Sequence, residues 1–128
     1  MKILVVEDHP ELAEISCRLL REVHGHDVRK AENGFSALQA ANAEIPDLVL
    51  IDINLPDMSG YDIARKLRSD PGFDRTLLVA ITGFGYFVED GFARAMGLDA
   101  CFLKPLDFDL LEQVERGRWR PNIRSSPP

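Results

Sequence analysis

The sequence has few cysteines and no long apolar run. Its only cysteines among 128 residues, Cys17 and Cys101, both lie inside apolar segments. This usage is typical of buried free thiols in a reducing compartment, and a single disulfide between them is the less favoured alternative. The first apolar run, at 3–6, is followed at once by two acids, so it is too short for a signal peptide or a membrane span. We therefore expect a cytoplasmic protein that does not enter a membrane.

An excess of basic charge is also missing. The formal net charge is −6. The last twelve residues hold three arginines and no acid, so residues 1–116 carry −9 once those three positive charges are set aside. Binding to duplex nucleic acid depends on neutralising phosphates with Lys and Arg, so this acidic body disfavours a nucleic-acid partner. It is compatible with a surface for basic partners, with carboxylates around a cation, or with an acidic surface that only aids solubility.

Short apolar runs without polar alternation predict strands that are buried on both faces of a parallel sheet. They occupy 3–6, 48–51, 77–81 and 101–103, and a more polar candidate at 26–31 suits an edge position. Segments with helical spacing lie between and after them, at 11–23, 34–43, 60–68, 86–96 and 107–116. Five β-α units of this kind predict an α/β domain over residues 1–117, with helices on both faces of the sheet. The composition of 118–128 predicts a flexible tail or the stub of a linker.

The helical segments carry apolar stripes that suggest which faces meet the sheet. The first places Leu12, Ile15, Leu19 and Val23 on one stripe, the second Phe35, Leu38 and Ala41 or Asn42, and the third Tyr61, Ala64 and Leu67 with Ile63 beside them. Ser59 is a plausible N-cap for the third helix, and Gly97 a C-terminal stop for the fourth.

Chemically active side chains follow the predicted strands. Glu7 and Asp8 follow the first strand, Asp52 follows 48–51, Thr82 follows 77–81 and Lys104 follows 101–103. The carboxyl ends of parallel strands meet at one edge of the sheet, where ligands bind. Each residue alone is compatible with a turn, a helix cap or a surface position. Their shared position at strand ends predicts a single site.

The acids of this predicted site indicate a metal. Three crowded carboxylates repel one another, so either one holds a proton or the cluster holds a cation. Oxygen ligands without His or Cys at ligand spacing favour Mg²⁺, or the similar Mn²⁺, over zinc. Mg²⁺ also accepts phosphate oxygens as ligands. Lys104 would then attract such a phosphate by its charge, and the Thr82 hydroxyl would hydrogen-bond it. The pattern therefore predicts phosphoryl chemistry.

These residues resemble the receiver domain of two-component response regulators. The likeness is carried by Glu7-Asp8, by DINLPDMSG starting at Asp52, by Thr82-Gly83 and by Lys104-Pro105, in this order on alternating β-α segments. It covers nearly all of residues 1–116. The resemblance implies a flavodoxin-like, doubly wound (βα)5 fold whose five parallel strands have the order 2-1-3-4-5.

The resemblance also implies a set of roles. Asp52 would accept a phosphoryl group from a phosphohistidine of a histidine kinase or a phosphotransfer protein. Mg²⁺ would be held by Asp8, Asp52 and the backbone carbonyl of Asn54, with Glu7 acting through water. Lys104 would pair with the phosphoryl oxygens, and Thr82 would move in to hydrogen-bond them.

As a signalling module, such a domain would catalyse only its own phosphorylation and dephosphorylation. Its partners would dock over the first helix and the loop after residue 104, and a further downstream protein partner is compatible with it. We expect a monomer or weak dimer, either stand-alone or belonging to a longer hybrid sensor protein.

One position departs from the receiver pattern. Receivers commonly carry an aromatic residue three positions before the lysine, and here that position is Cys101. Phe102 cannot stand in for it, because neighbouring residues of a strand face opposite sides.

Two other functions compete with the receiver interpretation. A small Mg²⁺-dependent phosphatase with an aspartyl nucleophile usually has a second Asp two residues after the first, where this chain has Asn54. A flavin-binding module of the same topology needs a Ser/Thr/Gly-rich phosphate loop after the first strand, which the sequence lacks.

Overall fold

A computed structural model describes residues 1–22, 24–82 and 94–103, with the side chains of Thr82 and Leu103 left out. The strands are β1 (Lys2–Val6), β2 (Asp27–Ala31), β3 (Leu48–Asp52), β4 (Leu77–Thr82) and β5 (Ala100–Leu103). The helices are α1 (Pro10–Glu22), α2 (Gly34–Ala43) and α3 (Gly60–Arg68), with a short 3-10 helix at Pro71–Phe73. The predicted helix at 107–116 and the tail at 118–128 lie outside the described residues, as does most of the predicted helix at 86–96.

The strands form one parallel sheet in the order β2-β1-β3-β4-β5. This order confirms the predicted doubly wound, flavodoxin-like fold and the edge position of the polar strand at 26–31. Every described strand lies within one residue of its predicted bounds. Among the described helices, none is long and apolar enough to cross a membrane.

The sheet is buried on both faces, as its unbroken apolar runs predict. Alternate strand residues point to opposite sides, so each strand contributes to two separate cores. One core lies under α2 and α3 and includes Leu4, Val6, Val49, Ile51, Leu78 and Ala80. The other lies under α1 and includes Ile3, Val5, Leu48, Leu50 and Val79.

The face that α1 turns toward the sheet differs from the predicted one. The buried residues are Ala13, Cys17 and Leu20, whereas Leu12 is 41% exposed and Ile15 is 56% exposed. Apolar residues occupy two adjacent faces of this helix, and the face with the small Ala13 and Cys17 side chains lets the helix approach the strands closely. Leu12 and Ile15 are therefore turned toward solvent, while Leu19 of the predicted stripe is half-buried.

The predicted stripe of α2 is confirmed for Ala41, which is buried, and for Leu38, which packs partly against the core, but it is wrong for Phe35. Ala37 and Ala41 are buried, while Phe35 is 64% exposed. The prediction for α3 is largely confirmed, because Ile63, Ala64 and Leu67 are buried and Tyr61 packs partly against them. Val23, which completed the predicted α1 stripe, lies outside the described residues.

The start of α3 is fixed by a capping box. The Ser59 hydroxyl accepts hydrogen bonds from the backbone N–H groups of Tyr61 and Asp62, and the Asp62 carboxylate accepts one from the Ser59 N–H. This confirms Ser59 as the N-cap. Such a box satisfies N–H groups that the first helical turn leaves without a partner.

Gly60, directly after this cap, lets α3 begin against the end of β3. A Cβ at this position would lie 2.6 Å from the carbonyl oxygen of Asp52 and 3.0 Å from the Cα of Ile53. Both neighbours are backbone atoms, which cannot move aside without distorting the strand.

We expect Gly60→Ala to destabilise the protein by about 3 kcal/mol, because overpacking against backbone forces the helix and the strand apart. Urea unfolding of both proteins measures the difference. Gly72→Ala is the matched control, since its Cβ would meet only side-chain atoms, the nearest at 3.2 Å. Equal losses in the two variants would show that the contact with Asp52 is not what requires glycine.

Candidate functional site

Three carboxylates meet where β1 and β3 end. Glu7 and Asp8 follow β1, and Asp52 is the last residue of β3. One carboxylate oxygen from each of the three residues lies within 4.8 Å of those of the other two. Glu7 and Asp52 are buried, at 9% and 6% exposure, while Asp8 is exposed. The structure thus brings together the three acids that the sequence analysis placed at one edge.

Strand register explains this meeting. β1 pairs with β3 so that Val6 lies opposite Ile51, and the next residues are Glu7 and Asp52. The Glu7 N–H continues the pairing toward β2 by donating to the carbonyl of Ala31 at 3.0 Å. Because adjacent parallel strands end at the same edge, two buried acids are held side by side.

Backbone N–H groups orient the two buried carboxylates. The Asn54 N–H donates to Oδ1 of Asp52 at 3.0 Å, and the His9 N–H donates to Oε2 of Glu7 at 3.3 Å. Each acid is therefore held by the loop that follows its own strand. Burying charged carboxylates together is costly unless a cation or a proton compensates them.

The donor set fits a hard cation. Within the described residues the cluster consists of carboxylates alone, with no His or Cys among its members. Carboxylate oxygens with room for water and for a backbone carbonyl are the ligands that Mg²⁺ takes in proteins. The Asn54 backbone lies beside Asp52 through the same N–H contact, so a carbonyl ligand from this loop is compatible with the site.

The described backbone brings Thr82 to the same edge. Asp52 pairs with Ile81 of β4, so Thr82 lies one residue further along the neighbouring strand. Thr82 in turn pairs with Leu103 of β5. Lys104, the residue after Leu103, lies outside the described residues.

Cys101 and Phe102 lie on opposite faces of β5, as the strand geometry predicts. Phe102 is buried in the core under α1, while the half-buried Cys101 packs against the core under α2 and α3. Tyr61 of α3 packs against that same core, and burial raises the pKa of its phenol, with a further contribution from the thiol of Cys101. An aromatic ring from α3 therefore lies near the position where receivers commonly have one on the strand.

Both cysteines are free thiols, which agrees with the favoured sequence interpretation. Cys17 is buried against the sheet, and burial raises the pKa of its thiol. Such a thiol is held in its unreactive protonated form at neutral pH.

An open hollow of about 270 Å³ adjoins the acidic cluster between the starts of α1 and α2. Its wall includes Glu7, Asp8, Lys30, Glu32 and Ser36. The hollow leaves the cluster accessible from the side of α1.

The sequence favours His9 as an exposed loop residue beside Asp8 rather than a group that modulates the site, and the structure adds a capping role for it, whereas the role of Asp57 was missed. The ring nitrogen Nδ1 of His9 accepts a hydrogen bond from the Leu12 N–H at 3.3 Å, so His9 caps α1. Asp57, in the loop after β3, accepts hydrogen bonds from the first N–H groups of α2. The positive end of a helix favours an acidic residue, and the first turn of α2 contains none. This lack is a signal in the sequence that an acid from another segment, here Asp57, serves the start of α2.

Comparison with known proteins gives a match to the response regulator receiver domain over residues 3–115. The chain is 35% identical over 119 residues to the virulence sensor protein BvgS of Bordetella pertussis, covering 88% of this chain and 10% of BvgS. It is 32% identical over 111 residues to the protein PilH of Pseudomonas aeruginosa, covering 86% of this chain and 90% of PilH. It spans a third or less of the first two curated relatives that it matches.

Solved structures agree with this match. The response regulator TrrA from Thermotoga maritima, solved in complex with Mg²⁺ and BeF, superposes with a TM-score of 0.78 at 28% identity, over 92% of this chain and 98% of that one. Fold, order of motifs and sequence similarity coincide over the same residues. The chain belongs to the response regulator receiver domain family of two-component systems.

Proposed function

We propose that this receiver domain accepts a phosphoryl group on Asp52 from a phosphohistidine of a histidine kinase or a phosphotransfer protein. One observation carries the proposal: three carboxylates from adjacent strand ends, two of them buried, place their oxygens within 4.8 Å of one another. Family membership supports the same assignment.

The metal in this proposal is Mg²⁺, with Mn²⁺ as a substitute. Asp8, Asp52 and the backbone carbonyl of Asn54 hold it directly, and Glu7 acts through water. Bound Mg²⁺ would screen the repulsion between the Asp52 carboxylate and the incoming phosphoryl group. The Mg²⁺ complex of the relative TrrA supports this choice of ion.

Asp52 is the acceptor because it is the acid at the centre of the sheet edge. The Asn54 N–H orients its carboxylate. A carboxylate oxygen forms the new O–P bond while the P–N bond of the donor breaks, and the leaving imidazole nitrogen keeps the electron pair. Lys104 pairs with the phosphoryl oxygens, and the Thr82 hydroxyl donates a hydrogen bond to one of them.

Converting the Asp52 carboxylate to a dianionic acyl phosphate adds about one negative charge, and this charge draws Thr82 and its loop inward. The shift changes the surface near 86–96 and 101–103, which a downstream partner reads. The domain thus acts as a signalling module that catalyses only its own phosphorylation and dephosphorylation.

The donor docks on α1 in this proposal. Leu12 and Ile15 are exposed apolar side chains on this helix, at 41% and 56% exposure, beside the edge where the acids lie. Exposed apolar residues next to a reaction centre are suited to a protein partner that must bring its histidine there.

We expect Ile15→Glu to slow phosphotransfer from a phosphorylated phosphotransfer protein roughly tenfold, because the substitution would bury a charge between α1 and the donor protein. Phosphorylation by acetyl phosphate, which needs no docking surface, should be unchanged. Ile45→Glu is the matched control, because Ile45 is 50% exposed but precedes β3, at the opposite edge of the sheet. Equal slowing by the two variants would rule out docking through Ile15.

The proposal is tested against the phosphatase alternative with small phosphate compounds. The protein is incubated with acetyl phosphate in Mg²⁺ or in EDTA, and its intact mass is measured. We expect one phosphoryl group to be added in Mg²⁺ and none in EDTA. Steady hydrolysis of p-nitrophenyl phosphate without a stable adduct would favour the phosphatase instead.

A further inference from the structure

Asp57 ties the loop after β3 to the beginning of α2. Its Oδ1 accepts a hydrogen bond from the Gly34 N–H at 2.8 Å, and its Oδ2 accepts one from the Phe35 N–H at 2.9 Å. These two N–H groups hold the pKa of the Asp57 carboxyl below its usual value. Asp57 is therefore an anion at the positive end of a helix, where charge and hydrogen bonds act together.

The neighbouring residue strengthens the same connection. Met58 lies against Gly34 so closely that a Cβ on Gly34 would overlap its side chain. Two successive residues of the loop thus contact one turn of α2, the first through hydrogen bonds and the second through packing.

These contacts anchor a loop whose other end is also fixed. Ile53 donates its N–H to the Ile81 carbonyl at 3.1 Å and accepts the Gly60 N–H at 2.9 Å. Between Ile53 and Asp57, the exposed Asn54 is held by its N–H contact to Asp52 and by a bridge to Ser59. The position of Asn54 therefore depends on the anchors on either side of it.

We propose that Asp57 is a positioning residue for the metal site: by binding α2, it holds the loop so that the Asn54 carbonyl stays within reach of the cation. The inference rests on the proposed Mg²⁺ site and adds a residue that does not touch the metal. Groups that orient metal ligands typically change metal affinity 10- to 100-fold when they are removed.

Asp57 also caps α2, and this purely structural role can be separated from its proposed role in positioning the metal site. Asn33 already caps the same helix, because its side chain accepts a hydrogen bond from the Ser36 N–H at 2.8 Å. Asn33 does not contact the loop that carries Asn54 through any described hydrogen bond. Asn33→Ala therefore weakens the same helix end and leaves that loop anchored.

The test compares Mg²⁺ affinity, measured by isothermal titration calorimetry, with the urea midpoint for wild type, Asp57→Ala, Asp57→Asn and Asn33→Ala. We expect Asp57→Ala to bind Mg²⁺ roughly tenfold more weakly and Asp57→Asn, which keeps one acceptor oxygen, to lie between it and wild type. Asn33→Ala should lower the urea midpoint without changing Mg²⁺ affinity. With acetyl phosphate, the slower phosphorylation of Asp57→Ala should recover at saturating Mg²⁺.

Wild-type Mg²⁺ affinity in both Asp57 variants would overturn the inference, as would an equal loss of affinity in Asn33→Ala. Either result would leave the proposed phosphorylation of Asp52 intact. If wild type itself bound no Mg²⁺, the proposed metal site would fail and the role of Asp57 with it. The Asp57→Asn variant, which preserves side-chain size, keeps the test valid if Asp57→Ala does not fold.

Discussion

Replacing Asp52 with Asn is expected to abolish phosphorylation by acetyl phosphate and by any phosphohistidine donor. An amide oxygen carries no full negative charge and cannot form the acyl phosphate, although the side chain keeps its shape. The Asn54 N–H can still donate to the amide oxygen, so the loop after β3 keeps its contact. We expect the stability measured in EDTA to stay within about 1 kcal/mol of wild type, because the substitution is nearly isosteric.

The same variant also tests the metal. Mg²⁺ should raise the melting temperature of wild type, since it binds only the folded protein, and should raise that of Asp52→Asn much less. Intact mass and thermal unfolding in Mg²⁺ and in EDTA measure both effects. Phosphoryl uptake by Asp52→Asn equal to that of wild type would identify a different acceptor.

Replacing Arg68 with Ala is expected to cost roughly 3 kcal/mol of folding free energy. The Arg68 guanidinium connects three parts of the chain through four hydrogen bonds. It donates to the carbonyls of Gly97, Phe73 and Thr76 at 3.0, 2.7 and 2.8 Å, and to Oδ2 of Asp99 at 2.6 Å.

Two of these four acceptors are poorly placed to bind water instead. Phe73 and Thr76 are buried residues, and the side chain of Arg68 is only 23% exposed. Asp99 also accepts the Leu78 N–H at 2.8 Å, so the ion pair holds the segment before β5 against β4. Removing the guanidinium takes one charged donor from each of the four acceptors, although Asp99 keeps the Leu78 N–H and the Phe73 carbonyl keeps the Thr76 N–H.

Arg65→Ala is the matched control for Arg68→Ala, because Arg65 is an exposed residue of the same helix. It should change stability by less than about 0.5 kcal/mol. Arg68→Lys should restore little, since an ammonium cannot reproduce the planar fork of donors. Urea unfolding measures the free energy of unfolding of wild type and the three variants. Equal losses in Arg65→Ala and Arg68→Ala would contradict a stabilising role for the Arg68 hydrogen bonds.

The strands and helix bounds were predictable from the sequence because they depend on local patterns. A short unbroken apolar run such as 48–51 favours a strand with both faces covered, and Ser59 before Gly60 is a capping signal that acts within one turn. The meeting of Glu7, Asp8 and Asp52 was predictable as well, because the ends of parallel strands share one edge.

Features that depend on contacts between distant segments were not predictable in this way. The stripe of Leu12 and Ile15 has the right helical spacing, but packing against the strands, which this spacing does not encode, turns Ala13, Cys17 and Leu20 toward the sheet. Arg68 is an ordinary polar residue in the sequence, and the one signal for Asp57 is the lack of an acid in the first turn of α2. Their importance comes from acceptors and donors 22 to 31 residues away, in α2 and beside β5.

The most direct test of the central claim is to locate the phosphoryl group. The protein is phosphorylated in Mg²⁺, the acyl phosphate is reduced with tritiated borohydride, and the labelled peptide is sequenced by mass spectrometry. We predict homoserine at position 52 and unchanged acids at Glu7 and Asp8. Label at either of these two acids, or no borohydride-sensitive adduct at all, would contradict phosphorylation of Asp52.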